Sequence, residues 1–405
     1  MDQLRRLHMK GVFHMSSFNF YIPTRILSGK GSLAKLRKQR MPGKKALIVI
    51  SSGKSTRSNG YLARVEEELQ AAGVETVVFD QILANPVIAN VEAGAKAARD
   101  NNCDFVVGLG GGSSIDAAKS IAVMATNEGN YWDYIYGGTG GGQKMKNHPL
   151  PIVAIPTTAG TGTEADPWTV ISNEESHEKM ALGNDKTFPV LAIVDPDLML
   201  TVPPKFTAYQ GFDALFHSTE GYIATRANLM SDMFALKAIE SVGQNLAAAY
   251  ADGTNEAARE KVAFGSTLSG IVMCVGSTTS EHALEHPMSA YHPELPHGAG
   301  LIMISRAYYT HFIKHAPQLA NRFIEMAKAM GKTDAKEPMD FVTALTDLQK
   351  ACGVYDLKMS DYGIKREEFS EYVRDAKATM GGLFRMDQIP LSDEDCLAIY
   401  EASYQ

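Results

Sequence analysis

Five side chains able to hold a metal ion fall between Gly211 and Gly300. Asp213 and His217 are four residues apart, and His282 and His286 repeat that spacing. Side chains so spaced share one face of a helix, one turn from each other. His297 follows a proline in Leu295-Pro296-His297-Gly298, in a loop or at the start of a helix. One carboxylate with several imidazoles suits Fe²⁺ or Zn²⁺ better than Mg²⁺ or Ca²⁺, which favour oxygen. Spacing alone leaves open which four of the five bind. A lone His-x3-His pair carries little weight: His311 and His315 form one with no carboxylate at a useful spacing, and it reads as helix surface.

A second set of residues suits a phosphate. Phe105-Val106-Val107-Gly108-Leu109 reads as a buried strand running into Gly110-Gly111-Gly112-Ser113-Ser114-Ile115-Asp116 and a helix. Glycines let backbone approach a bulky anion, and the first N–H groups of a helix favour its charge. The pattern is not the G-x-G-x-x-G of most dinucleotide folds. Asp116 could cap the helix or bond a nicotinamide amide. Thr157, Thr158 and Thr161, after the strand Pro151–Pro156, offer hydroxyls and free N–H groups to the same ligand. Gly137-Gly138-Thr139-Gly140-Gly141-Gly142 follows no strand and reads as a flexible surface loop.

The elements that must position these groups alternate in the first half. Short strands are expected within Phe18–Leu27, at Ala46–Ile50, Glu75–Phe79, Phe105–Leu109, Pro151–Pro156 and Val190–Val194. Helical periodicity falls between them over Ser32–Arg40, Tyr61–Ala72, Ile88–Asp100 and from Gly112 to Ala125. Continuous β-branched runs mark strands covered on both faces, and the alternation predicts a doubly wound parallel sheet. Ligands then sit at the carboxyl ends of its strands. From about Phe206 only helical periodicity remains, as in Ser231–Ala248 and Glu256–Val275. The expected organisation is an α/β domain with a Rossmann-like parallel sheet over residues 1–204 and an all-helical metal-binding domain over 205–405, joined near Pro203-Pro204. Residues 1–16 read as an irregular lead.

Composition narrows the function classes. The 405 residues suffice for two or three domains, and 45% hydrophobic content is that of a globular protein. A net charge of −7 argues against nucleic acid or an anionic membrane surface as partner. No apolar run approaches a membrane helix, and Met1–Arg6 leads into no signal core. Cys103, Cys274, Cys352 and Cys396 are far apart without a CxxC pattern and read as reduced thiols, so a cytoplasmic location is expected.

With both sets placed, the chain resembles the iron-containing (group III) alcohol dehydrogenases. The motifs carrying the resemblance are the Gly110–Asp116 turn, Pro156-Thr157-Thr158-Ala159-Gly160-Thr161-Gly162, Gly211-Phe212-Asp213-Ala214-Leu215-Phe216-His217, His282-x3-His286, Leu295-Pro296-His297-Gly298-Ala299-Gly300 and Ala378–Leu383. In this order they cover the chain from Phe18 to Tyr404. The resemblance implies a dehydroquinate synthase-like two-domain architecture, with NAD(P) on the first domain and the metal in the cleft beside the nicotinamide. It implies Asp213, His217, His282 and His297 as the ligands, and leaves His286 near the metal as a proton relay. Gly111, Gly112, Ser113, Asp116, Thr157, Thr158 and Thr161 fall in its cofactor motifs. Val170 and Lys179 match positions on the ribose and nicotinamide side.

Three departures from the family pattern stand out. Residues 1–16 extend beyond the usual start, and Asp166 stands where Thr or Ser is common. Where many NAD-using members carry Asp at the end of the second strand, this chain has Ser51. An Asp there would bond the ribose 2′-hydroxyl and repel a 2′-phosphate. Ser51-Ser52-Gly53-Lys54-Ser55 removes that repulsion and offers Lys54, so NADP(H) is expected over NAD(H).

The implied activity is reversible hydride transfer between a nicotinamide and a small primary or secondary alcohol, with Fe²⁺, or Zn²⁺, as Lewis acid. The alternative is a Zn²⁺-dependent, glycerol dehydrogenase-like polyol dehydrogenase. A dehydroquinate synthase-like lyase would need more Arg and Lys around its acidic substrate than this region holds. A structural metal site in a non-catalytic assembly would be coordinatively closed. Trp168, Phe216, Tyr291 and Phe384 are candidates for an apolar substrate cleft. A homodimer or larger homo-oligomer is expected.

Overall fold

The computed structural model describes residues 17–405; the irregular lead expected over residues 1–16 lies outside them. Six parallel strands form one sheet: β1 (Arg25–Ser28), β2 (Lys45–Ser51), β3 (Glu75–Ile82), β4 (Phe105–Gly110), β5 (Ile152–Pro156) and, last in sequence, Leu191–Val194. Helices α1 (Tyr61–Ala71), α2 (Ile88–Asp100) and α3 (Gly112–Thr126) cover it. Alternate side chains of β2 leave on opposite faces, as a strand's period of two requires. Leu47 and Val49 pack with Val91 and Ile121, whereas Ala46, Ile48 and Ile50 pack with Leu62 and Val65. That two-sided burial is why the strand reads as an unbroken apolar run.

Strand order is β1, Leu191–Val194, β5, β4, β2, β3. The chain leaves β2 outward to β3, then returns to the other side of β2 to lay down β4. The order therefore reverses between β2 and β4, and the carboxyl ends of those strands flank the crevice where open α/β sheets bind ligands. Ser51 ends one and Gly110 the other.

Several local expectations are corrected. Of Phe18–Leu27 only the stretch from Arg25 is strand. Ser32–Lys38 is a 3₁₀ helix. The single helix expected over Ser231–Ala248 is two, Leu229–Gly243 and Leu246–Ala251. An antiparallel hairpin absent from the sequence reading, β6 (Thr169–Asn173) with β7 (Glu178–Leu182), stands beside the main sheet, whose Leu191–Val194 strand becomes β8. The Gly137–Gly142 run is packed, not a free loop. Thr139 N donates to Glu178 Oε1 at 2.9 Å, and a Cβ on Gly141 would lie 2.8 Å from the Asp133 carbonyl oxygen.

The rest is helical: α4 (Pro204–Ile223), α5 (Leu229–Gly243), α6 (Leu246–Ala251), α7 (Glu256–Val275), α8 (Ser280–Tyr291), α9 (His297–His315), α10 (Ala320–Ala329), α11 (Met339–Ala351), α12 (Phe369–Phe384) and α13 (Asp393–Ser403). One core built on Phe212, Phe216, Tyr309, Phe323 and Phe341 unites them. Each such aromatic contributes about 1.5–3 kcal/mol through burial. Helix α12 runs through Gly381-Gly382, bending at Met380. Among the described residues no single helix is long and apolar enough to cross a membrane.

Candidate metal and nucleotide site

Helix α4 is buried along nearly its whole length from Thr207. That burial fixes Asp213 and His217, one turn apart, facing α8 and the start of α9. His282 projects from α8 and His297 opens α9 directly after Pro296, so the Pro-His-Gly histidine begins a helix. Two glycines seat that helix. A Cβ on Gly298 would collide with the Tyr209 carbonyl oxygen of α4, and one on Gly300 would lie 2.7 Å from Glu285 of α8. Only side-chain-free positions let α9 start this close to both neighbours.

The ligand atoms of Asp213, His217 and His282 lie within 4.8 Å of one another, and His297, beside them, groups likewise with Glu285 and His286. Asp213 Oδ1 lies 3.6 Å from His217 Nε2, 3.5 Å from His282 Nε2 and 3.7 Å from His297 Nε2. Ligands about 2.1 Å from a tetrahedral metal stand roughly 3.4 Å from each other. Asp213 Oδ1 and His282 Nε2 are buried and have no hydrogen-bond partner among the described residues, which is costly unless a cation completes them. Electrostatics agree. Burial alone would raise the Asp213 carboxyl, yet His217, His282 and His297 hold it far below the carboxylate range. Burial would lower His282, yet Glu220 and Asp213 push it up to about 10. His217 shifts the other way: burial, with the His282 and His297 charges, lowers it to about 3, so its ring is neutral. These four residues fit a divalent ion.

Two carboxylates absent from the sequence reading stand behind the imidazoles. Glu220 Oε1 bonds His282 Nδ1, and its other oxygen accepts from Thr279 N at 2.7 Å at the start of α8. Glu285 Oε2 bonds His297 Nδ1. A signal existed: Asp213, His217 and Glu220 run i, i+4, i+7 along one stripe, and His282, Glu285 and His286 run i, i+3, i+4.

His286 is buried beside the four, its ring 5.5 Å from that of His297. Its Nδ1 lies 3.0 Å from the Lys179 carbonyl oxygen. A carbonyl only accepts, so Nδ1 carries the hydrogen and Nε2 is left as the acceptor. Burial, then the Lys179 and His297 charges, hold the ring well below the ordinary histidine pKa, hence neutral. Lys179 Nζ donates to Ser289 Oγ at 3.0 Å, tying β7 to α8.

The strand-end turns meet as one surface. Thr157 N donates to the Gly110 carbonyl at 2.8 Å. A Cβ on Gly111 would stand 3.3 Å from Thr158 Oγ1, and one on Gly112 would stand 2.5 Å from Thr161 Cγ2. The glycines thus hold the two turns in contact. Asp116 points at the hairpin: its Oδ1 accepts from Thr163 Oγ1 at 2.7 Å and its Oδ2 from Val170 N at 2.9 Å. Ser113 Oγ donates to the Ala84 carbonyl, which leaves that residue's backbone N–H as its contribution at the helix start. Ser51 and Lys54 line an open cavity of about 390 Å³ with Arg57 and Asp80. Asp166 is buried in an ion pair with Lys119 at 3.1 Å, so it supports the loop from behind. Phe216 is fully buried against Tyr309 and lines no cleft; Trp168 is 41% exposed. His311 and His315 lie side by side near the end of α9, their rings 4.3 Å apart and tilted by 37°, far along the helix from His297.

Comparison with known proteins accounts for nearly the whole chain. Residues 23–196 match the family described as iron-containing alcohol dehydrogenase, and residues 207–404 match its C-terminal family. Alcohol dehydrogenase 4 of Saccharomyces cerevisiae is 33% identical over 389 residues, covering 95% of this chain and 98% of that protein. The 1,3-propanediol dehydrogenase of Citrobacter freundii is 34% identical over 358 residues, covering 87% of this chain and 88% of its own length. The crystal structure of an alcohol dehydrogenase from an archaeal halo-thermophile of a Red Sea brine pool superposes with a TM-score of 0.90 at 33% identity, covering 96% of this chain and 100% of that one.

Proposed function

The chain belongs to the iron-containing alcohol dehydrogenase family, and from that premise we propose that it interconverts a small alcohol and its aldehyde or ketone by hydride exchange with a nicotinamide, using Fe²⁺ held by Asp213, His217, His282 and His297. The observation that carries this reading is the convergence of three imidazole Nε2 atoms within 3.7 Å of one unpartnered carboxylate oxygen. A divalent ion there supplies Lewis-acid polarisation of the substrate oxygen. The nicotinamide supplies the hydride acceptor or donor.

The chain's own residues do the rest. Gly111, Gly112 and the N–H of Ser113 receive pyrophosphate at the start of α3, where the helix dipole favours it. Thr157, Thr158 and Thr161 close the other side of that turn. Asp116 and Val170 hold the nicotinamide end, and Lys179 the ribose. His286 Nε2 accepts the proton released from the substrate and passes it toward solvent. Its low basicity suits a relay, which must give the proton up again.

The same reading favours NADP(H). The end of β2 carries Ser51 instead of an acid, and Lys54 and Arg57 line the adjacent cavity. The one acid there, Asp80, is paired with Arg57 at 2.7 Å. A cytoplasmic location fits the four free cysteines. A homo-oligomer and a small alcohol or aldehyde as the only further partners complete the proposal, with neither nucleic acid nor membrane.

The test is a metal-resolved assay. The protein is stripped with a chelator, Fe²⁺ or Zn²⁺ is added back separately, and NADPH and NADH absorbance is followed with a panel of short aldehydes. Activity restored by Fe²⁺ supports the reading. Activity with Zn²⁺ and glycerol alone moves the protein to the polyol dehydrogenases, since the same ligand set accepts Zn²⁺. Stoichiometric metal without turnover on any substrate makes the site structural.

A further inference from the structure

His297 is the least anchored of the four converging groups. Its side chain is 24% exposed, against 8% for His217 and 5% for His282. It stands on the first residue of α9, directly after Pro296. An imidazole there has two free torsions and two nitrogens, and only one orientation offers Nε2 to Asp213. The rings of His282 and His286, 5.3 and 5.5 Å away, pack against it but do not tell Nδ1 from Nε2.

Glu285 does. Its side chain is fully buried in α8, and Oε2 bonds His297 Nδ1. A carboxylate accepts hydrogen bonds, so the ring carries its hydrogen on Nδ1 and leaves Nε2 with a free lone pair. The space for Glu285 is built in from α9 itself. Gly300 lies one turn after His297, and a Cβ there would stand 2.7 Å from both Glu285 Cγ and Oε1. Glu285 and Gly300 therefore form a matched pair: a buried acid on one helix and the gap that receives it on the next. The arrangement parallels Glu220 behind His282, but Glu220 also accepts from the start of α8, whereas among the described residues Glu285 has no other hydrogen-bond donor and its Oε1 is unpartnered.

We propose that Glu285 is a positioning residue for the metal, fixing the tautomer and ring orientation of His297 so that this ligand closes the site and slows metal loss. The inference rests on the four-residue metal reading given above. Such outer partners of ligating histidines change metal affinity by about 10- to 100-fold when removed.

The test measures metal retention rather than turnover. Wild type, Glu285→Ala, Glu285→Gln and Gly300→Ala are loaded with Zn²⁺, and its release to a chromogenic chelator is timed. The same proteins loaded with Co²⁺ report ligand geometry through visible absorption. Glu285→Ala should release metal about 10- to 100-fold faster. Glu285→Gln, whose amide oxygen still accepts from Nδ1, should lie between it and wild type. Gly300→Ala, which keeps the carboxylate but displaces it, should resemble Glu285→Ala, and the double variant should be no worse than either single one. If Glu285→Ala fails to fold, Glu285→Gln and Gly300→Ala carry the comparison. Release within twofold of wild type, with an unchanged Co²⁺ spectrum, overturns the assignment of Glu285. Wild type that binds neither ion would instead overturn the four-residue metal reading.

Discussion

Asp213 Oδ1 and His282 Nε2, on different helices, stand 3.5 Å apart in the protein interior, and neither has a hydrogen-bond partner among the described residues. Two unpartnered buried atoms that each offer a lone pair mark a cation's place. Asp213→Ala should cut bound metal from about one per chain to near none. Metal at a hundred times its Kd stabilises a protein by about 2.7 kcal/mol. Wild type should therefore melt several degrees higher with Zn²⁺ than without it, and the variant should show no shift. An equal shift in both proteins would place the ion elsewhere.

His286 is held neutral, with Nε2 as its accepting atom. His286→Ala should lower turnover by about a hundredfold, the scale of a lost proton acceptor, while metal content by elemental analysis stays at the wild-type value. Full turnover across pH 6–9 in the variant would remove His286 from the proton path.

Ser51→Asp places an acid at the end of β2, beside the cavity that Lys54 and Arg57 line. The ratio of kcat/KM for NADPH over NADH should fall by about tenfold or more, since roughly 1.4 kcal/mol of repulsion gives a factor of ten. Wild-type efficiency higher with NADH than with NADPH would overturn the NADP(H) preference directly.

Asp387 is 8% exposed, and burial pushes its carboxyl up to about 7, against bonds from Ser280 that pull it down. The folded chain then holds a proton that the unfolded chain releases near pH 4. Stability consequently falls as pH rises from about 4 toward 7, and the loss is complete above the folded pKa. Asp387→Asn removes this titration. Thermal melts from pH 5 to 8 should show wild type losing stability relative to the variant as pH rises. Parallel curves would mean that Asp387 does not titrate in this range.

How much of this the sequence reveals depends on what kind of signal each part leaves. The helices Ile88–Asp100 and Glu256–Val275 agree to the residue, because each follows a clear stop: Asn85-Pro86 before one, the capping Asn255 before the other. The hairpin leaves no such mark. Its turn, Glu174-Glu175-Ser176-His177, contains no glycine, and the left-handed position is taken by His177 at φ 52°. That conformation is uncommon for a side chain and invisible to a search for Asn-Gly or Gly-Gly. The Gly137–Gly142 run misleads in the opposite way: its glycines answer close packing against Asp133 and Ile135, which only the folded chain displays. Glu220 and Glu285 are legible as helical stripes with the ligands, but only once the facing helices are known, since their partners lie on α8 and α9.

One residue of the hairpin bonds twice across the two matched regions. The Lys179 carbonyl sets the hydrogen of His286, and its ammonium bonds Ser289 on the same helix. Orientation of the buried His286 ring in the helical half is thus dictated by a backbone atom of the α/β half. The halves are consequently not interchangeable parts: a chimaera taking its first half from a relative with a different hairpin register would keep Asp213, His217, His282 and His297 and still lose the alignment of His286.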